Sequence, residues 1–283
     1  MHQNRHTYFI LIAFLLSIFV FDNGIAYAEQ YLSAGEISGV AAGSVTIGYL
    51  GAKKFQIDVG DKSRIRGPLP KELGIHKFLA GKYTSGRTNF LDNEFGSALT
   101  PIFMGTILAV ADFTWPVRDT QKDVAQDMTL FLSGMITTKG ITDFTKGTIR
   151  RPRPYAWMAD SSHVESEKDY KYLRTSFFSG HSSSAFYSAA FTNLRLRSIM
   201  RMRLSYDEYR EWRWAPPTVL FGWATYVAWT RIHAYKHYPS DVLVGALVGW
   251  GMAELFYSWA LQGKDKYFSN SESTPMIRVS LRF

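Results

Sequence analysis

Residues 230–241 read TRIHAYKHYPSD, and a long apolar run begins directly after them at Val242. Within this stretch, Arg231, His237 and Asp241 stand in close register. An arginine recognises oxyanions, a histidine can attack or protonate, and a carboxylate can fix the tautomer of a histidine. The apolar run indicates a helix. The stretch therefore predicts a phosphoryl-transfer site at the start of a helix.

Length and composition restrict the class of protein. A chain of 283 residues can bury one substantial core, so one principal domain is expected. Aromatic residues make up 16% of the chain, which suits a densely packed helical protein or one at a membrane interface. The net charge of +8 fits an anionic substrate or lipid, and without a zinc-finger or stacking signature no nucleic-acid partner is expected. The lack of cysteine excludes disulfides and thiolate catalysis.

Residues 1–28 have the organisation of a bacterial-type secretory signal peptide. Arg5 precedes an apolar run over residues 8–21, and the sequence IAYA at residues 25–28 provides an A-x-A-like cleavage site. We expect the mature chain to begin at Glu29, and the alternative is an uncleaved membrane anchor. Both alternatives imply export.

The hydrophobic pattern predicts an all-α protein, a bundle of about six helices after the signal peptide. Residues 29–97 are expected to form an N-terminal region of helices and loops, and residues 98–262 the main helical bundle. Residues 263–283 form a tail whose last eight residues, MIRVSLRF, alternate apolar and polar side chains like a short edge strand. The segments that predict helices are 38–52, Ala98–Trp115, 127–146, 181–200, 217–230 and 242–261.

Two further clusters complement the opening stretch, and they lie where predicted helices end or begin. Lys146 is followed after six residues by Arg153 and Pro154, and residues 179–181 read Ser-Gly-His. Connections on one side of a bundle would bring all three clusters together. Lysine and arginine would surround a phosphate group with fixed positive charge, and helix-start N–H groups would add donors. Two histidines would divide the work of attack and proton transfer.

The three clusters resemble the motifs of the type-2 phosphatidic acid phosphatase and vanadium haloperoxidase superfamily, K-x6-R-P, P-S-G-H and S-R-x5-H-x3-D. Order and internal spacing agree from Lys146 to Asp241. Two positions depart from the motifs, because Phe178 stands in place of the proline and Thr230 in place of the serine. Neither is a charged position, so the departures concern the fine geometry of the site rather than its chemistry.

The resemblance implies a role for each matching residue. His237 would be the nucleophile that forms a phosphohistidine, and Asp241 would orient its imidazole through a side-chain hydrogen bond. His181 would protonate the leaving group and then activate water. No metal and no cofactor are implied. The residues that would hold the phosphoryl oxygens are Lys146, Arg153, Ser179, Gly180 and Arg231.

Other histidines and arginines near the motifs have less specific interpretations. His233 is expected to have a structural or rim role, and His76 and His163 are expected to be bystanders in polar loops. Arg150 and Arg151 would either contact substrate or lipid headgroups, or form a solvated basic corner.

The apolar segments are borderline for membrane spanning, because they contain glycine and the charged residues Asp112 and Glu254. The resemblance covers membrane lipid phosphatases and soluble periplasmic acid phosphatases, and residues 237–250 favour the membrane branch. The basic connection from Arg195 to Arg213 would then lie on the cytoplasmic side, as the positive-inside tendency favours. The expected location is the inner membrane with a periplasm-facing site, and the soluble periplasm is the alternative.

The sequence thus predicts a metal-independent phosphatase that hydrolyses a phosphomonoester or pyrophosphate, preferably a lipid phosphate. The expected partners are that substrate and a membrane. The alternatives are a soluble periplasmic non-specific acid phosphatase, a vanadate-dependent haloperoxidase and a non-catalytic lipid-binding protein. The chain is small for a haloperoxidase, and the intact charged positions argue against a non-catalytic role.

Overall fold

A computed structural model describes residues 32–58, 70–81, 94–116, 119–157 and 172–261. The predicted signal peptide, the predicted strand-like tail and His163 lie outside these described residues. Within them, all regular structure is helical. The elements are α1 (Ala34–Asp58), α2 (Leu73–Ala80), α3 (Glu94–Thr114), α4 (Thr120–Ile149), a 3₁₀ turn (Pro154–Trp157), α5 (Gly180–Arg203), α6 (Tyr206–Trp212), α7 (Ala215–His233) and α8 (Pro239–Leu261). The all-α prediction is confirmed, and the long helices in this part of the chain are α1, α3, α4, α5, α7 and α8.

Helix α4 is longer than predicted at its start because a capping residue precedes it. It begins at Thr120, whereas the apolar pattern begins at Asp127. The side chain of Asp119 accepts a hydrogen bond of 3.1 Å from the N–H of Lys122, which satisfies a donor that has no intrahelical partner. At the other end, the helix stops at Ile149, immediately before the arginine and proline run, as predicted.

Helix α1 also exceeds the run that predicts it. Residues 38–52 would form a helix of about 22 Å, whereas the 25 residues of α1 make it about 37 Å long. It packs along α4 with the two backbones in contact, because a Cβ added to Gly51 would stand 2.0 Å from the carbonyl oxygen of Gly140. Part of residues 29–97 therefore belongs to the same bundle as residues 98–262.

Helix α5 runs through the middle of the bundle and contacts α3, α4, α7 and α8. Its Phe191 packs against Phe131 of α4 and Tyr257 of α8, with ring centroids 5.7 Å apart in both pairs. Tyr187, also on α5, is fully buried and donates its hydroxyl to the carbonyl of Leu130 at 3.1 Å. This core fixes α5 against α4 and α8, whose ends carry predicted site residues.

Glycines on α8 allow it to lie directly on the first two turns of α5. A Cβ added to Gly245 would stand 2.6 Å from the carbonyl oxygen of Ser179, and one added to Gly249 would stand 2.1 Å from that of Ser183. Real Cβ atoms do not approach backbone so closely, so these positions require glycine. This glycine seam sets the start of α8 beside the start of α5.

Farther along α5, Arg195 occupies a buried cluster of charged side chains. Its Nε lies 2.8 Å from a carboxylate oxygen of Asp112 on α3 and 2.6 Å from one of Asp127 on α4. A second α4 carboxylate, that of Asp123, lies 3.8 Å from Nη2. The assignment of Arg195 to a basic connection is therefore wrong, because its guanidinium is inside the bundle and ties three helices together.

One helix in the described part of the chain, over Pro239–Trp259, is long and apolar enough to cross a bilayer by length and composition. A third of that window is buried against other helices. Large apolar side chains are also exposed on several helices, among them Tyr49 of α1, Phe113 of α3, Val219 of α7 and Leu255 of α8. Exposed apolar surface of this kind is typical of contact with a partner or a membrane.

Candidate active site

The three predicted clusters lie at the same end of the bundle. The N–H of Ser179 donates to the carbonyl of Asp241 at 3.0 Å, which joins the second cluster to the third. A Cβ on Gly180 would stand 3.4 Å from Nζ of Lys146, so the first cluster lies beside the second. The predicted site residues that the structure brings together are Lys146, Arg153, Ser179, Gly180, His181, Arg231, His237 and Asp241.

A backbone carbonyl holds the imidazole of His237 in one tautomer. Nδ1 lies 2.6 Å from the carbonyl oxygen of Ser176, and because a carbonyl only accepts, Nδ1 carries the proton. Nε2 then keeps the lone pair that a nucleophile needs. The expected direct hydrogen bond to Asp241 is wrong, because the nearer Ser176 carbonyl occupies Nδ1 and the carboxylate oxygen lies 4.0 Å away.

Asp241 instead fixes the residues around His237. It is fully buried, and its Oδ2 accepts hydrogen bonds from the hydroxyl of Ser176 at 2.5 Å and from the N–H of Tyr238 at 2.9 Å. Ser176 supplies the carbonyl that binds Nδ1, and Tyr238 follows His237 in the chain. The other oxygen, Oδ1, accepts from Nη1 of Arg151 at 2.5 Å. Asp241 therefore orients the imidazole indirectly.

A threonine orients each of the two motif arginines. Nε and Nη2 of the buried Arg231 donate to the hydroxyl of Thr230 at 3.1 and 3.0 Å. Nε and Nη2 of Arg153 donate to the hydroxyl of Thr175 at 3.2 and 2.9 Å. Thr230 stands where the motif has serine, and its hydroxyl supplies the acceptor that a serine would supply. This departure from the motif therefore preserves the polar contact.

The start of α5 offers hydrogen-bond donors. The hydroxyl oxygen of Ser179 accepts from the N–H and the hydroxyl of Ser182 at 3.3 and 3.2 Å, so its own proton remains available to an acceptor. The N–H groups of Gly180 and His181 belong to the first turn, where helix N–H groups favour anions. Nε2 of His181 is buried without a hydrogen-bond partner among the described residues. This end of α5 is suited to binding an anion.

Burial, together with the positive charge of the site, keeps both histidines neutral. Desolvation, followed by the charges of Arg231 and Lys146, lowers the pKa of His181 well below its usual value. Desolvation, followed by the charges of Arg153 and Lys146, does the same for His237. A neutral His237 is the form that can attack phosphorus.

The same surroundings reduce the protonated fraction of Lys146 when no anion is bound. Desolvation, followed by the charge of Arg153, lowers the pKa of Lys146 to about 7. A bound phosphoryl group would favour the charged ammonium, because an opposite charge nearby stabilises the protonated form. Binding of an anion and protonation of Lys146 are therefore coupled.

Two residues outside the motifs lie where sequence reasoning did not expect them. His76 is not a loop bystander, since it is fully buried on α2 with its ring 4.4 Å from that of Tyr235. Arg151 fits neither earlier interpretation, because it binds the carboxylates of Asp241 and Glu72. His233 packs against the Trp229 ring, with centroids 4.8 Å apart, and so has the expected structural environment.

Sequence reasoning also missed the residues that hold the motif side chains. Ser176 acts on His237 through its carbonyl, and every residue has a carbonyl, so no residue pattern could reveal it. Thr175 binds Arg153 and Glu72 binds Arg151 through their side chains. Glu72 lies 79 residues before Arg151, so their spacing in the sequence gives no sign that they meet. The one available signal was the run of three arginines over residues 150–153, more than the motif requires.

Comparisons with known proteins identify a family and several relatives with similar sequences. Residues 127–264 match the model of the PAP2 superfamily. The chain is 36% identical to phospholipid phosphatase 2 of Homo sapiens over 141 residues, 42% of this chain and 46% of that protein. It is 30% identical to phospholipid phosphatase 1 of Mus musculus over 168 residues, 51% of this chain and 56% of that protein. The chain thus spans about half the length of these curated relatives, and no solved structure matches it.

Proposed function

We propose that this chain, whose residues 127–264 belong to the PAP2 superfamily, is a phosphatase that releases phosphate from a lipid phosphate through a phosphohistidine. The observation that carries the proposal is the tautomer of His237. Its Nδ1 is bound to the Ser176 carbonyl, and its neutral Nε2 lies in a site lined by positive charge.

In the first step, the lone pair on Nε2 of His237 attacks phosphorus as the bond from phosphorus to the ester oxygen breaks. Desolvation and the nearby cations lower the pKa of His181, and the substrate's negative charge opposes this shift, so we assign to His181 the uptake of a proton as substrate binds. It then gives that proton to the departing oxygen, which leaves as an alcohol. For a pyrophosphate, the group that leaves is the remaining phosphate.

In the second step, the now neutral His181 accepts a proton from water as the water oxygen attacks the phosphohistidine. The bond between nitrogen and phosphorus breaks, inorganic phosphate forms and His237 regains its lone pair. Throughout, Lys146, Arg153 and Arg231 hold the phosphoryl oxygens, together with Ser179 and the N–H groups that begin α5. Their fixed charges and dipoles stabilise the charge on those oxygens in the transition state.

A lipid substrate is supported by the names of the relatives, which are phospholipid phosphatases, and by the exposed apolar side chains of the bundle. The substrates consistent with this chemistry are phosphatidate, phosphatidylglycerophosphate, undecaprenyl pyrophosphate and lipid A phosphates. We place the protein in the inner membrane with its site facing the periplasm. Trp212 and Trp214, beside the arginines of the connection between α5 and α7, support an interface at the opposite end of α5.

The reaction is proposed to need no metal. Within the described residues, no group of three or more His, Asp or Glu side chains is placed to hold a metal ion. The roles that a metal would have, neutralising phosphoryl oxygens and activating the attacking group, are assigned to the cations of the site and to His237 and His181.

The test is phosphate release by the full chain in detergent with excess EDTA, from a lipid phosphate and from a water-soluble phosphate ester. We expect the lipid phosphate to be hydrolysed faster and the His237→Ala variant to be inactive. During turnover of a ³²P-labelled substrate, the enzyme is denatured rapidly without acid. The protein recovered should carry a phosphoryl group that is labile in acid and stable in alkali. Dependence on a divalent metal, full activity in His237→Ala, or halide oxidation with vanadate would contradict the proposal.

A further inference from the structure

A carboxylate from outside the three motifs caps the helix that carries Asp241. Oε1 of Glu72 accepts a hydrogen bond of 2.8 Å from the N–H of Ser240, in the first turn of α8. Oε2 accepts one of 2.8 Å from the hydroxyl of the same serine. Glu72 directly precedes α2 and lies 168 residues before Ser240, so a distant segment supplies the cap.

Arg151 extends this contact to the carboxylate of Asp241. Its Nη2 donates to Oε2 of Glu72 at 2.6 Å, and its Nη1 donates to Oδ1 of Asp241 at 2.5 Å. Nη1 also reaches the hydroxyl of Ser240 at 2.8 Å, and the guanidinium lies 4.1 Å above the ring of Tyr238. An arginine held at so many points has little freedom to move.

The charges of the two residues suit this arrangement. Burial tends to raise the pKa of Glu72, but hydrogen bonds from Ser240 and Arg151 outweigh it and lower the pKa overall. Glu72 is therefore an anion and Arg151 a cation at neutral pH. The guanidinium lies between two carboxylates and satisfies both.

From Asp241 the contacts lead to His237, through the hydroxyl of Ser176 and the N–H of Tyr238. A second contact holds the other end of the α2 segment, because the hydroxyl of Tyr235 donates to the carbonyl of Gly81. Residues 70–81 therefore brace the connection that carries the nucleophile at two points.

We propose that Glu72 and Arg151 are positioning residues for His237, acting through Asp241 and Ser176. Residues 70–81 are then a part of the active site that lies outside the matched residues 127–264. The inference rests on the proposed function. Its physical basis is that transfer requires Nε2 of His237 to be in line with the leaving oxygen, and small displacements of such a group reduce the rate strongly.

The chain offers matched controls at the far end of α5. Glu208 accepts hydrogen bonds from the N–H and hydroxyl of Ser205, the same contacts that Glu72 makes with Ser240, but at the start of α6. Arg201 donates from Nε to the hydroxyl of Tyr209 at 3.0 Å and lies 5.5 Å from its ring. Glu208→Gln and Arg201→Lys therefore remove comparable contacts about 35 Å from the site, given the length of α5.

The experiment compares Glu72→Gln, Arg151→Lys and the two controls in the full chain. The measurements are the single-turnover rate of phosphohistidine formation, KM and Tm, with short-chain phosphatidate in detergent. Both variants should form the phosphoenzyme about 10-fold more slowly than the controls, with KM changed less than about 2-fold. The double variant Glu72→Gln/Arg151→Lys should be no slower than the slower single variant, because the two residues form one chain of contacts.

The possible failures are distinguishable. If Glu72→Gln forms the phosphoenzyme as fast as Glu208→Gln while His237→Ala forms none, the inference is overturned and the proposed function stands. If the variants lower Tm with no slowing of the folded enzyme, the residues have a structural role only and the inference is again overturned. If the wild-type chain forms no phosphoenzyme with any ester, the proposed function fails, and this inference fails with it.

Discussion

Two ion clusters in this molecule have similar composition, because each pairs an arginine with a buried aspartate: Arg151 with Asp241, and Arg195 with Asp112 and Asp127. They differ in what their contacts connect. At the end of the bundle that carries the proposed active site, Arg151 binds Asp241, and the remaining hydrogen bonds of that carboxylate lead to the residues around His237. In the α5 core, Arg195 binds carboxylates of α3 and α4, and these contacts join one helix to another. Residue type and burial do not separate a catalytic from a structural ion pair. The onward hydrogen bonds do.

The largest difference between the two clusters is expected on replacing His237, at the end that carries the Arg151–Asp241 pair. The variant His237→Ala should lose at least about 10⁴-fold in kcat, because it removes the attacking nitrogen. Thermal unfolding should change little, since the ion pair of Arg151 with Asp241 does not involve the imidazole. The measurements are steady-state phosphate release and differential scanning fluorimetry in detergent. Activity within tenfold of wild type would show that His237 is not the nucleophile.

The corresponding change in the α5 core is Arg195→Met. It should lower the free energy of unfolding by about 3–5 kcal/mol, because it leaves the buried carboxylates without this cation. The single-turnover rate of the protein that remains folded should stay within about 2-fold of wild type. Urea unfolding checks the first expectation and rapid quench the second.

A compensating variant sharpens this result. Adding Asp112→Asn and Asp127→Asn to Arg195→Met removes two of the buried negative charges and should recover part of the lost stability. A triple variant less stable than Arg195→Met would mean that the aspartates stabilise the bundle independently of the arginine.

Acid should lower the free energy of unfolding through protonation of His76. Desolvation, partly offset by the charge of Glu72, lowers the pKa of His76 from 6.5 to about 4. Between these values the unfolded chain binds a proton that the folded chain excludes, so stability falls as pH decreases through this range. The loss approaches about 3 kcal/mol below pH 4 and disappears above pH 6.5.

The variant His76→Phe keeps a ring against Tyr235 and removes this proton. Its free energy of unfolding should therefore vary less with pH than that of wild type between pH 4 and 6.5. Urea unfolding at several pH values gives the two slopes. Equal slopes would mean that His76 is not protonated on unfolding.

The smallest effect is expected at Thr230, whose hydroxyl binds Arg231. Thr230→Val has nearly the same shape but no acceptor, and it should reduce kcat/KM by about 10-fold through misplacement of the guanidinium. Thr230→Ser restores the motif residue and should stay within about 2-fold of wild type. Equal activities for the two variants would show that Arg231 does not need this hydroxyl.

The sequence alone predicted which charged residues lie together at one end of the bundle, and most of the helices that carry them. Lys146, Arg153, His181 and His237 could be proposed as site residues because phosphate chemistry demands cations and imidazoles, and each lies near the end of a predicted helix. The start of α4 was misjudged because the capping residue Asp119 extends the helix beyond its apolar pattern.

The supporting contacts escaped prediction for physical reasons. Every residue has a backbone carbonyl, so the sequence cannot indicate that the carbonyl of Ser176 binds His237. Glu72 contacts Ser240 only in the folded bundle, because the two residues lie 168 positions apart in the chain. Arg195 was misplaced because its basic neighbours suggested a surface. A signal was present, since Asp123 and Asp127 lie four residues apart on one face of α4 and Asp112 is isolated in an apolar run.

The glycine seam between α5 and α8 has a consequence for how this protein can evolve. Gly249 lies two turns beyond Asp241, about 12 Å along the helix, yet any side chain there would push α8 away from the backbone of Ser183. Asp241 would move with it. A survey of all single substitutions scored by activity should therefore record Gly249 as intolerant, although it has no side chain and meets no substrate. The position of Asp241 therefore depends in part on a residue that acts by having no side chain.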